Sequence, residues 1–82
     1  MEETTSAVQD YLKAIHNLGG ATTTVSPVDI AARLQVRAPS VTGMLKRLVE
    51  QGLIFYETRR GAQLTELGIA QARRVIRRHR LV

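Results

Sequence analysis

The clearest candidates for chemistry in this 82-residue chain are a carboxylate near its start and an imidazole near its end. Asp10 and His79 are both of types that bind divalent transition metals. By spacing alone, plainer roles suffice, because Asp10 can pair with Lys13 on a helix surface and His79 can be a partly buried helix residue. The sequence contains no cysteine, catalytic triad, phosphate-binding loop, dinucleotide fingerprint or metalloprotease motif. It therefore predicts that the chain is not an enzyme.

A second set of candidates is cationic, or small and polar. Residues 31–82 carry eleven Lys and Arg side chains against three acidic ones, whereas residues 1–30 carry one base and four acids. Positive charge confined to one part of a chain is typical of a protein that binds a polyanion such as nucleic acid. The candidate DNA-binding residues all lie in this basic part: Arg37, Ser40, Thr42, Gly43, Lys46, Arg47, Arg59 and Arg60.

Apolar spacing and capping residues predict the helices that would position these side chains. Apolar residues at helical intervals predict a first helix over residues 8–18, which a pair of glycines ends. Ser26 as N-cap and Pro27 at the first helical position predict a second helix that runs to residue 34. Pro39 opens a third helix that ends at Gly52. The inward stripe expected for this third helix is Val41, Met44, Leu45 and Leu48.

The remainder of the chain predicts a β-hairpin and a fourth helix. The aliphatic and aromatic residues 53–57 are typical of a strand, with residues 63–65 as its partner across a basic turn that holds Gly61 at its tip. Thr65 caps the fourth helix, whose inward stripe is Ile69, Ala72, Ile76 and His79. This element order predicts one domain over residues 1–82, mostly α with a small β-hairpin, which is a winged helix-turn-helix.

In such a fold the third helix fits the major groove of DNA. Its small outward residues near the N-terminus can approach base edges, and its cations further along can reach phosphates. Arg59 and Arg60, at the hairpin, can reach a neighbouring phosphate or the minor groove. Gly43 costs about 1 kcal/mol against Ala in mid-helix, so we expect a packing or close-approach reason for it.

From Thr4 to Leu81 the chain resembles a known family, and six stretches carry the resemblance: Asp10-Tyr11-Leu12-Lys13-Ala14-Ile15, Asp29-Ile30-Ala31-Ala32-Arg33-Leu34, Pro39-Ser40-Val41-Thr42, Gly52-Leu53-Ile54, Leu64-Thr65-Glu66-Leu67-Gly68 and Arg78-His79-Arg80-Leu81. Together they are similar to the N-terminal domain of the DtxR/MntR family of iron- and manganese-dependent repressors. The Asp-Tyr-Leu opening and the closing His-Arg-Leu are the more particular of these motifs.

The resemblance implies a homodimeric repressor of metal-uptake genes that binds a palindromic operator when loaded with Mn²⁺ or Fe²⁺. It matches Asp10 to a metal ligand on the first helix and His79 to a ligand at the end of the helix after the hairpin. Asp10 stands where iron-type members often carry Met. An Asp at this position favours manganese, which prefers harder oxygen ligands. Two residues depart from the family pattern: Lys13 stands where manganese-type members often place Glu, and Gly43 where members commonly carry a longer polar side chain.

The resemblance also places the dimer interface and the remaining metal ligands beyond Val82, so we expect no tightly bound metal in these 82 residues. The acidic N-terminus lacks the apolar core of a signal peptide, and no apolar run is long enough to span a membrane. We therefore expect a soluble, cytoplasmic protein. Two alternatives stay open, a ligand-responsive regulator of the MarR type and a winged-helix domain that serves only protein–protein assembly.

Overall fold

The computed structural model describes the backbone of residues 6–80 and the side chains of residues 6–77. The elements in chain order are α1 (Ser6–Asn17), α2 (Pro27–Leu34), α3 (Ala38–Glu50), β1 (Ile54–Glu57), β2 (Gly61–Leu64) and α4 (Glu66–Arg80). This order confirms the predicted winged helix-turn-helix. We refer to the hairpin of β1, β2 and their turn as the wing. No helix within the described residues is long and apolar enough to cross a membrane.

The helix-turn-helix consists of α2, a three-residue turn and α3. The Ser26 hydroxyl accepts the N–H of Val28 at 3.0 Å, which confirms Ser26 as the N-cap of α2. At the other end, Gln35 has a left-handed conformation, with φ 57° and ψ 46°. This residue turns the chain toward α3, which begins at Ala38, one residue earlier than expected.

The wing is a two-stranded antiparallel sheet in which Ile54 pairs with Leu64 and Glu57 with Gly61. Val25, immediately before α2, extends this sheet by exchanging two backbone hydrogen bonds with Ala62, at 2.7 and 2.8 Å. The second strand therefore starts at Gly61 and not at residue 63 as expected, and the turn contains only residues 58–60. Because Val25 lies far from the hairpin in sequence, the local pattern could not predict this pairing.

The α4 helix is attached to the end of α3 through Thr65. The Thr65 hydroxyl donates to the carbonyl of Gly52 at 2.7 Å and accepts the N–H of Gly68 at 3.1 Å, which confirms it as the cap. Along the helix, Ala72 and Val75 are buried, whereas Ile69 and Ile76 are half-buried. The predicted stripe was thus wrong in choosing Ile76 over Val75, and the side chain of His79 lies outside the described side chains.

The core lies between the four helices and the wing, and apart from Tyr11 its buried residues are aliphatic. The largest fully buried side chains come from the first three helices and from Leu53, just before β1: Leu12, Ile15, Ile30, Leu45, Leu48, Leu53, Val8 and Val41. Met44, which was expected on the α3 stripe, is half-buried. Among the described residues no buried side-chain nitrogen or oxygen lacks a hydrogen-bond partner. Each element thus buries one face against this core and leaves the opposite face to solvent.

Candidate nucleic-acid interface

The outward face of α3 is defined by the residues that the helix buries. Val41, Leu45 and Leu48 point into the core. At 3.6 residues per turn, the opposite side of the helix is therefore centred close to Gly43, with Lys46 and Arg47 beside it. Every residue of the helix within about 90° of this centre is exposed: Pro39, Ser40, Thr42, Gly43, Lys46, Arg47 and Glu50. We call these seven residues the α3 face.

The N-terminal half of α3 presents small polar groups. Ser40 and Thr42 are both exposed. The Thr42 hydroxyl donates to the carbonyl of Ala38 at 3.2 Å, so its proton is engaged while its oxygen can still accept a hydrogen bond. Arg37 is exposed just before the helix, at its N-cap position. The short side chains leave this end of α3 accessible to a flat or grooved surface.

The C-terminal half of α3 is cationic. Lys46 and Arg47 are exposed, and within the described part of the chain neither forms an ion pair. Glu50 shares the α3 face with Lys46, one turn further on. The charges of Lys46 and Arg47 are therefore available to an anion outside the domain.

The wing turn carries two further arginines, and the structure distinguishes between them. Both Arg59 and Arg60 are exposed. The guanidinium of Arg60 lies 3.4 Å from the carboxylate of Glu57, and both side chains are more than two-thirds exposed. A pair this exposed contributes little to stability and exchanges readily for another anion. Sequence reasoning missed this pair, although the i,i+3 spacing of a Glu and an Arg across a turn was a usable signal.

The surroundings of Asp10 do not by themselves fit a divalent cation. Asp10 is exposed on α1 and lines a shallow pocket with the cationic side chains of Lys13 and Arg33 and with Asn17. No group of three or more potential metal-binding side chains occurs within the described residues. Helices α1 and α4 pack against each other. That Asp10 and His79 bind one metal ion together stays a prediction, because the side chain of His79 lies outside the described side chains.

Sequence reasoning did not predict an exposed apolar region that lies beside the wing. Phe55, on the outer face of β1, is 66% exposed, and Val49 on α3 is 44% exposed. Both line an open groove along the wing, together with Thr24, Tyr56 and Gln63. The alternation of the strand residues was a signal for an outward Phe55, since Ile54 before it is buried.

A helix-turn-helix with an exposed, partly cationic third helix and an arginine-bearing wing defines a DNA-binding domain of the winged-helix class. The family model for the iron dependent repressor, N-terminal DNA binding domain, matches residues 3–62. The chain belongs to this family, whose members are transcriptional regulators and not enzymes. Because the chain belongs to this family, the alternative of a ligand-responsive regulator of the MarR type is wrong.

Known relatives agree with this assignment. The transcriptional regulator MntR of Escherichia coli O6:H1 is 40% identical over 75 residues, which are 92% of this chain and 48% of that protein. The HTH-type transcriptional regulator MntR of Lysinibacillus sphaericus is 33% identical over 78 residues, covering 95% of this chain and 56% of that protein. The chain thus spans about half the length of these curated relatives.

Solved structures of other proteins share the fold. The crystal structure of ScaR with bound Zn²⁺ superposes with a TM-score of 0.76 at 37% identity, covering 89% of this chain and 34% of that one. A putative transcriptional regulator from Pseudomonas aeruginosa superposes with a TM-score of 0.73 at 28% identity, covering 82% of this chain and 46% of that one.

Proposed function

We propose that this chain binds duplex DNA with the α3 face in the major groove and the wing on the adjacent backbone. The observation that carries the proposal is the α3 face itself, whose residues are all exposed, with small side chains near the N-terminus and the cations Lys46 and Arg47 near the C-terminus. An α-helix with this arrangement fits the width of the major groove.

The proposed contacts divide into two kinds. Ser40, Thr42 and Gly43 lie where the helix approaches base edges, and these residues contribute to sequence discrimination. The cations of the helix-turn-helix and of the wing contact phosphates or the minor groove and contribute mainly affinity. This second group is Arg37, Lys46, Arg47, Arg59 and Arg60.

In the whole protein, we propose that this domain belongs to a homodimeric, cytoplasmic repressor of metal-uptake genes that binds a palindromic operator. Relatives named MntR and the Zn²⁺-bound ScaR structure support a metal-responsive protein. The metal proposed for the whole protein is Mn²⁺ or Fe²⁺, toward which Asp10 and His79 supply a carboxylate and an imidazole. Asp10, with two cations at its pocket, needs ligands from further residues to complete such a site.

The salt dependence of DNA binding tests the proposal. We expect the affinity of the chain for a duplex of random sequence to fall steeply as the salt concentration rises, because phosphate contacts release counterions. Replacing both Lys46 and Arg47 by Gln should lower the slope of log affinity against log salt by about two.

The matched control replaces both Arg73 and Arg74 by Gln. These two exposed arginines lie on α4, which packs along α1, so the control makes the same change in charge away from the proposed interface. A slope near zero for the unmodified chain would contradict DNA binding. Equal losses of slope in the two double variants would contradict the placement of the interface on α3.

A further inference from the structure

Gly43 occupies the centre of the α3 face, and its lack of a side chain has a cost. Glycine in a helix interior lowers the equilibrium constant for folding about fivefold relative to Ala. A folded domain tolerates such a residue where the backbone needs a positive φ, or where a neighbour leaves no room for Cβ. The structure tests both reasons.

Neither reason applies to Gly43. Its φ is not positive, whereas those of Gly19, Gly52 and Gly61 are. A Cβ placed on Gly43 meets no atom within 4 Å. Gly68 in α4 shows the contrast, since a Cβ there would collide with the carbonyl oxygen of Leu53. The free domain therefore has room for a side chain at Gly43.

We propose that Gly43 is a specificity-determining residue that lets the backbone of α3 come close to a base pair in the major groove. This inference rests on the proposed function. The space left by the missing Cβ is that of one methyl group, and the Cα of glycine presents apolar C–H surface without a hydrogen-bonding side chain. The base that fits this surface is thymine, whose methyl group lies in the major groove.

The test compares Gly43→Ala and Gly43→Gln with the unmodified chain on two DNA probes. One probe is a duplex that the unmodified chain selects from a random library, and the other is the same duplex with its sequence scrambled. Gly43→Ala should raise the folding equilibrium constant about fivefold and the melting temperature with it. It should weaken binding to the selected duplex about tenfold, as one mismatched base pair does, and change binding to the scrambled duplex much less.

Two controls separate close approach from helix stability and from general affinity. Val49→Ala raises helix propensity on the flank of α3 and adds no atom to the α3 face, so it should leave discrimination unchanged. Replacing thymine by uracil in the selected duplex removes only methyl groups. This replacement should weaken DNA binding by the unmodified chain more than it weakens DNA binding by the Gly43→Ala variant.

Different results would contradict close approach at Gly43 and DNA binding itself. If Gly43→Ala is more stable and discriminates as well as the unmodified chain, or if Gly43→Gln binds the selected duplex more tightly, close approach is wrong and DNA binding stands. If the unmodified chain shows no salt-sensitive DNA affinity, the proposed function is wrong and this inference falls with it.

Discussion

Gln35 is the single non-glycine residue with a positive φ in the part of the chain that the structure describes, and it lies in the turn of the helix-turn-helix. A left-handed conformation costs a residue with a Cβ about 1 kcal/mol relative to Gly. Gln35→Gly should therefore raise the free energy of unfolding by about 0.5–1 kcal/mol, measured by urea denaturation followed by circular dichroism.

The matched control for this prediction is Gln51→Gly. Gln51 is likewise an exposed C-cap glutamine, but its φ is −85°, so Gly relieves no strain there and only increases the freedom of the unfolded chain. We expect this variant to be less stable than the unmodified chain. Destabilisation by both substitutions would show that the left-handed turn at Gln35 is not strained.

Tyr11 adds a pH dependence at the residue scale. Its side chain is buried among the core residues of α1, and burial raises the pKa of its phenol above 10.0. A pKa raised on folding stabilises the protein fully below the unfolded value of 10.0, and this stabilisation is lost as the pH rises through the folded value. The free energy of unfolding should thus fall more steeply above pH 10.0 for the unmodified chain than for Tyr11→Phe. Parallel pH profiles for the two chains would contradict this assignment.

At the scale of elements, α3 and the wing have separable roles. Thr42→Ala, on the α3 face, should reduce discrimination between the selected duplex and random DNA, because it removes a group near the base edges. Arg60→Ala, in the wing, should weaken binding to both duplexes similarly and lower the salt slope by about one. Competition binding at several salt concentrations measures both quantities.

The Glu57–Arg60 pair provides a control for the wing. Glu57→Gln removes the carboxylate that competes for Arg60, so we expect tighter binding to both duplexes with discrimination unchanged. Loss of discrimination by Arg60→Ala as large as that by Thr42→Ala would mean that the wing reads sequence.

The attachment of the wing to the helix-turn-helix depends on Gly61. Its φ is +108°, and a Cβ there would collide with the carbonyl oxygen of Val25. Gly61→Ala should lower the free energy of unfolding by about 3 kcal/mol, from strain and from loss of the sheet contact. Gly52→Ala separates the two causes, because its φ is +74° but its Cβ meets open space, and it should cost about 1 kcal/mol. Equal losses would show that the contact with Val25 contributes nothing.

The elements that sequence predicted correctly are those whose signals are local. Ser26 and Thr65 mark helix starts through hydrogen bonds to the next few residues, and Pro27 does so through its fixed φ, so the type of residue suffices. The start of β2 at Gly61 depends on Val25, a contact between distant parts of the chain. The choice between Val75 and Ile76 in α4 depends on how the helix rotates against α1, which spacing leaves open.

The candidate site divides in the same way. The outward positions of Thr42, Gly43 and Lys46 follow from the helical period of the buried residues, so sequence could place them. The reason for Gly43 could not be decided from sequence, because the packing and close-approach explanations differ only in what surrounds its Cα. The structure excludes packing by showing open space at that position.

At the scale of the whole molecule, the proposed DNA interface and the candidate metal ligand Asp10 lie on different elements. The cations of the proposed interface lie on α3, immediately before it and in the wing, whereas Asp10 lies on α1 beside Lys13 and Arg33. A carboxylate next to two cations attracts a divalent metal less strongly than an isolated one. The metal response proposed for the whole protein is therefore expected to depend on ligands from outside this domain.

The chain as it stands should accordingly bind neither Mn²⁺ nor Fe²⁺ tightly, and its weak binding to DNA should not respond to either metal. These ions favour about six ligands, mostly oxygen and imidazole groups, and the ligands that we propose in this chain are only Asp10 and His79. With most of the coordination left to water, calorimetric titration with Mn²⁺ should give no constant tighter than the micromolar range. Asp10→Ala is the matched variant, and it should change neither the titration nor DNA binding in the presence of Mn²⁺. A sub-micromolar constant that Asp10→Ala abolishes would show that the domain holds a complete metal site.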